Sequence, residues 1–121
     1  IHMAVVRSSG VIKFYVNGSS VGSPSSFNAT NIDLTGQIPT IGSLYSYYPG
    51  YINNGSMSNI RLTKTPLYTS NFTPPTSPLP SLSNTVLLLL ASSNSTAYAD
   101  SSGTNGTYTN ANLPAWSSDH P

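Results

Sequence analysis

Apolar and polar positions follow a strand-like pattern from His2 to Gly22. Val5, Ile12, Phe14 and Val16 are β-branched or aromatic and stand among polar or small neighbours, the composition of a half-buried pleated surface. Ser8-Ser9-Gly10 supplies a turn. Asn17-Gly18 is a stronger one, because both residues tolerate the positive φ of a tight hairpin. The run predicts two strands closed by Asn17-Gly18, and an antiparallel all-β domain around them.

The rest of the chain has no helical periodicity. Ser23-Pro24-Ser25-Ser26 reads as a loop, Phe27 to Leu34 as a short strand and Ile38 to Gly42 as another. Tyr45 to Gly55 is a loop crowded with tyrosine, asparagine and glycine. Met57, Ile60 and Leu62 mark a strand from Ser56 to Thr65. Residues 66–80 hold Pro66, Pro74, Pro75, Pro78 and Pro80; proline cannot donate to a ladder, so this stretch is expected as an extended strap lying over the fold. Val86 to Leu90 is apolar throughout and predicts a strand covered on both faces. Tyr98 to Asp100, Gly106 to Thr109 and Leu113 to Ser117 read as short strands, the last anchored by Trp116.

Composition narrows the partners. Only 6% of the 121 residues are charged and the formal net charge is +1, so solubility rests on hydroxyls and amides, and little field exists to steer an acidic partner. Nucleic acid is not an expected partner. Arg7, Lys13, Arg61 and Lys64 are spaced singly, as solvated strand faces or as one local patch if their strands are neighbours. The absence of cysteine excludes disulfides and thiolate metal sites. The longest apolar run, Val86 to Ala91, is far shorter than the ~20 residues a membrane helix needs, so membrane insertion is not expected. Ile1 begins directly in strand-like sequence, without the basic and apolar regions of a signal peptide. At this length one domain is expected over residues 1–121, large enough for a two-layer core.

No catalytic constellation stands out. The acids are Asp33, Asp100 and Asp119, without any glutamate, and their spacing suggests no carboxylate pair. His2 and His120 form no metal-binding spacing, and no strand-turn-helix elbow presents a serine nucleophile. The chain is therefore expected not to be an enzyme, and no cofactor is required. Asp100-Ser101-Ser102-Gly103 has two readings: part of a Ca²⁺ site, since calcium accepts carboxylate, hydroxyl and carbonyl oxygens, or an Asx-turn in which Asp100 bonds its own backbone two residues on.

Tyr45, Tyr47, Tyr48, Tyr51, Asn53 and Asn54 make the best sequence candidate for a ligand site. Sugar CH faces pack on aromatic rings while sugar hydroxyls pair with amides, and tyrosine offers both a flat apolar face and a polar tip. The alternative is that these tyrosines pack the loop or fill a subunit interface. Asn-x-Ser/Thr sequons begin at Asn17, Asn28, Asn54, Asn71, Asn94 and Asn105; in so Asn- and Ser-rich a chain they are treated as composition.

The run HMAVVRSSGVIKFYVNGSSVG resembles the W-x-H-x-A-V-x-R … L-x-x-Y-V-N/D-G hairpin of concanavalin A-like, laminin-G-like jelly-roll domains. Gly55 to Leu62, GSMSNIRL, followed by Leu67 to Thr76, LYTSNFTPPT, is similar to the G-x-I-S-N-L-R … A-L-Y-T-S-N-F-T-P-P-T signature of the variety found in phage tail-fibre and microbial surface proteins. Asn84 to Leu89 and the D-x-S-G turn at Asp100 to Gly103 extend the likeness over most of the chain, while Leu44 to Asn54 matches nothing in particular. The resemblance implies an antiparallel β-sandwich of the jelly-roll type that binds carbohydrate or protein, sometimes with calcium, or serves structurally. Relatives carry strands and a tryptophan ahead of this hairpin, so the sandwich is expected to be partial or permuted, with a neighbouring domain or a second copy completing its sheet.

Three functions are expected in order: a non-catalytic carbohydrate-binding or adhesion module of a virion or extracellular surface, with a glycan or surface polysaccharide as partner; a structural module building a fibre, shell or capsid decoration through sheet edges and faces; and, well behind, a glycan-processing enzyme.

Overall fold

The computed structural model describes residues 1–26, 40–41, 55–92 and 99–104. Among them every regular element is a strand: β1 (Met3–Ser8), β2 (Val11–Val16), β3 (Ser19–Ser26), β4 (Ile60–Thr63) and β5 (Thr85–Leu89). They form two small antiparallel sheets, one ordered β1-β2-β3 and one pairing β4 with β5. The chain divides into two compact units, Ile1–Ile32 with Thr63–Pro78 and Asp33–Leu62 with Leu79–Pro121.

The first unit is built on two tight turns. Ser9 and Gly10 have φ of 49° and 74°, Asn17 and Gly18 of 49° and 80°. Positive φ at both central residues is the type I′ pattern, whose twist matches that of the flanking strands. Because both turns close, the segment holds three strands where the alternation alone predicts two. Ser23 to Ser26, expected as a loop, continues β3 instead. Ile12 faces Ser25 and Phe14 faces Val21, so Gly22, Ser23 and Pro24 stand opposite Lys13 alone. This bulge tolerates proline because β3 is an edge strand whose interrupted ladder asks no donor there.

The register sorts the side chains onto two faces. Ala4 pairs with Tyr15, Val6 with Lys13 and Ser8 with Val11 on one face; Met3 pairs with Val16, Val5 with Phe14 and Arg7 with Ile12 on the other. The first face carries the buried positions Val6 and Tyr15, the latter 1% exposed. On the second, Met3 and Val5 are 74% and 66% exposed, and Phe14 and Val21 are exposed as well. Arg7 and Lys13 thus lie on opposite faces and do not form a common patch.

Residues 66–80 contain no regular element, as the prolines predict, and their first-unit portion lies along the hairpin. Phe72 N–H donates to the Gly18 carbonyl at 2.9 Å, and Asn71 Oδ1 accepts the Ser20 N–H at 3.0 Å. Ser20 follows the hydrogen-bonded pair Val16↔Ser19 that flanks the turn, so its N–H points away from β2. Asn71 thereby caps a donor on the open edge of β3. Asn17 Oδ1 likewise accepts the His2 N–H at 3.0 Å.

In the second unit, β4 is shorter than the expected Ser56 to Thr65. Asn59 has a φ of 54°, which interrupts extended backbone just before Ile60, and its Oδ1 accepts the Leu79 N–H at 3.4 Å. Arg61 Nη1 donates to the Pro80 carbonyl at 3.0 Å. The expected strand Val86 to Leu90 appears as β5, one residue earlier at each end. Leu82 and Thr85 close its entry reciprocally: Leu82 N–H donates to Thr85 Oγ1 and Thr85 N–H to the Leu82 carbonyl, both at 2.9 Å. Thr85 and Leu88 are buried but Val86, Leu87 and Leu89 only half so, which corrects the expectation of complete cover on both faces.

Thr40 and Ile41 are not in a strand. The strand expected at Phe27 to Leu34, the remainder of Ile38 to Gly42, and those at Gly106 to Thr109 and Leu113 to Ser117 lie outside the described residues. So does Tyr98; Asp100 makes an isolated antiparallel bridge with Leu89.

Candidate binding site

Tyr45, Tyr47, Tyr48, Tyr51, Asn53 and Asn54 fall outside the described residues. Asp100 is described, and its carboxylate is fully engaged by donors. Oδ1 accepts the Leu88 N–H at 3.0 Å and the Ser102 N–H at 2.8 Å, and Oδ2 accepts the Ser102 hydroxyl at 2.8 Å. The bond to residue i+2 is the Asx-turn reading, and the bond to Leu88 fastens that turn to β5.

Hydroxyls extend the same network. Ser102 Oγ lies 2.6 Å from Thr104 Oγ1, which donates to the Val86 carbonyl at 2.9 Å, and Ser81 Oγ donates to the Ser102 carbonyl at 3.0 Å. Ser101 N–H donates to the Leu88 carbonyl at 2.8 Å. The oxygens that calcium would need are those already receiving hydrogens. Among the described residues no group of three or more His, Cys, Asp or Glu side chains gathers.

A different concavity lies in the first unit, between the inner face of the hairpin and the strap. Its volume is about 240 Å³, and it is bounded by Val6, Ser8, Ser9, Val11 and Lys13 from the hairpin and by Tyr68 and Thr69 from the strap. The period-2 register is why these hairpin residues meet: Val6, Ser8, Val11 and Lys13 share one face. Lys13 Nζ donates to the Thr69 carbonyl at 3.2 Å, which ties strap to strand at the cavity.

An aromatic cluster holds the wall in place. Tyr68 and Phe72 stack with centroids 3.6 Å apart and planes 8° from parallel. Phe72 meets Tyr15 edge-on at 5.5 Å, and His2 packs edge-on against both Tyr68 and Phe72 at 6.2 and 5.5 Å. These are the favoured geometries of aromatic pairs. Phe72 covers one face of Tyr68 and does not itself border the cavity.

This site does not emerge from composition alone. A signal was available: the strap was expected over the fold, and Tyr68 and Phe72 are its only rings. What was missing was the face on which it lands.

Among the described residues the only regular elements are strands, paired in two small antiparallel sheets, the make-up of an all-β fold. No family model, curated protein or solved structure matches the chain. No helix among the described residues is long and apolar enough to cross a membrane.

Proposed function

We propose that the chain is a non-catalytic carbohydrate-binding or adhesion module of a virion or extracellular surface protein, built as a partial or permuted jelly-roll sandwich of the concanavalin A-like kind. The observation that carries this reading is the cavity under the strap. Apolar Val6 and Val11 and the Tyr68 ring stand beside the hydroxyl-bearing residues Ser8, Ser9 and Thr69, the pairing of apolar and polar surface that a sugar ring presents in turn. The segment holding Tyr45, Tyr47, Tyr48, Tyr51, Asn53 and Asn54 is proposed to extend the ligand contact. Calcium at Asp100 is not needed for this reading. A glycan array tests it: saturable binding to a subset of glycans is expected, and no binding to any glycan overturns it.

The second reading, a structural module, is favoured by one observation, the exposed apolar face carrying Met3, Val5, Phe14 and Val21. A face of this kind ordinarily meets a second layer. Sedimentation velocity separates the readings. Concentration-dependent association that vanishes in Val5→Thr/Phe14→Thr, without sugar binding, supports the structural role; a monomer at all concentrations counts against it.

A further inference from the structure

We infer that the cavity beneath the strap takes a single carboxylate-bearing sugar ring, a hexuronate, with Lys13 as the residue that reads the charge; this rests on the carbohydrate-binding reading above. Three observations converge on it. First, a volume of about 240 Å³ falls below the roughly 300–1,000 Å³ of pockets that enclose drug-sized ligands, so no more than about one sugar ring fits within it. Second, Val6 and Val11 from the hairpin and Tyr68 from the strap supply apolar surface for the CH face of a pyranose, and Phe72 stacks on the ring of Tyr68, which fixes its orientation before any ligand arrives.

Third, the cation at the cavity is positioned. Lys13 Nζ donates one hydrogen bond to the Thr69 carbonyl, and an ammonium carries three donors. Its other donors can serve a ligand carboxylate, with Ser8 and Ser9 beside it for ring hydroxyls. In a chain with only four Lys and Arg, one of them borders this cavity.

The bulge of β3 falls opposite the same residue. Gly22, Ser23 and Pro24 face Lys13 in place of a single ladder partner, so the edge strand bends beside it.

The test uses the whole chain, ¹⁵N-labelled, titrated separately with methyl glucuronide, methyl glucoside and the methyl glycoside of sialic acid. Methyl glucuronide is expected to shift the amides of Val6, Val11, Lys13 and Tyr68, and methyl glucoside to bind about fivefold to tenfold more weakly. Lys13→Gln, which leaves the backbone ladder of the central strand β2 intact, is expected to erase that preference while the other hairpin amides hold their positions. Rising salt weakens the glucuronide alone. Equal binding of glucuronide and glucoside, tighter binding of the bulkier sialoside, or shifts confined to residues 45–54 overturns this assignment and leaves the carbohydrate-binding reading standing. Failure of all three sugars, together with a blank glycan array, overturns both.

Discussion

The hairpin sheet and the β4–β5 pair reach antiparallel pairing by different routes. In the first unit, turns of two residues join β1 to β2 and β2 to β3, so backbone chemistry at Ser9-Gly10 and Asn17-Gly18 sets the register. Side chains are then released for other work: Val6 and Tyr15 for the core, Val11 and Lys13 for the cavity. By contrast, β4 ends at Thr63 and β5 begins at Thr85, so no two-residue turn joins this pair. There the polar side chains are spent on backbone. Asn59, Arg61, Ser81, Thr85, Asp100 and Thr104 each bond a main-chain N–H or carbonyl. Polar side chains bond backbone in the first unit too, at Asn17, Asn71 and Lys13, but there they fasten ends and strap to a register the turns already set; in the second unit they stand where a connecting turn would.

The largest expected effect strikes the turn route. Gly18 has a φ of 80°, and a Cβ there would run into the Phe72 carbonyl and approach Pro74 Cδ at 3.1 Å. Positive φ alone costs about 1 kcal/mol for alanine, and the clash expels a strap held by the Phe72 bond to Gly18. Gly18→Ala is therefore expected to destabilise by about 3 kcal/mol or more in urea denaturation. A change under about 0.5 kcal/mol would show that the strap does not dock on this turn.

The side-chain route breaks at Asp100. Asp100→Ala removes the acceptor for Leu88 N–H and both Ser102 donors, at an expected cost of about 2 kcal/mol. Exchange of the Leu88 and Ser102 amides should accelerate, with the Val5 and Phe14 amides unaffected. Melting temperature should be the same in EGTA and in calcium; a calcium-dependent rise that Asp100→Ala abolishes would instead place a cation at this carboxylate.

The smallest effect sharpens the claim that packing, not polarity, secures the hairpin core. Tyr15 is 1% exposed and its hydroxyl oxygen has no hydrogen-bond partner among the described residues. A buried hydroxyl left unpaired contributes nothing to recover on removal, so Tyr15→Phe is expected to change stability by less than about 0.5 kcal/mol or to raise it. A loss above about 1.5 kcal/mol would reveal a partner for that oxygen.

Local chemistry made part of this legible. Asn17-Gly18 announces its turn because both residues tolerate positive φ; Ser8-Ser9-Gly10 reads as a turn from its small residues and Gly10, while the φ of 49° at Ser9 is not a preference of serine. The prolines of 66–80 exclude a ladder through their missing N–H, and Asp100-Ser101-Ser102-Gly103 allows an Asx-turn from its own side chain. The strand Ser56 to Thr65 was overextended because residue pattern does not reveal that Asn59 adopts a φ of 54°. Burial of Val86 to Leu90 was overstated for a similar reason, since apolarity records what a residue tolerates and not what covers it.

By itself, then, the sequence determined the first two strands and the turns beside them, the strand at Val86 to Leu90 to within a residue, and the irregular strap, because each depends on neighbours a few residues apart. Only the tertiary structure decided that Phe72 lands on Gly18, that Tyr68 borders the same cavity as Val6 and Val11, and that Lys13 reaches Thr69. Those contacts join residues more than fifty positions apart; they depend on which sheet face the strap crosses, and no local preference encodes that choice.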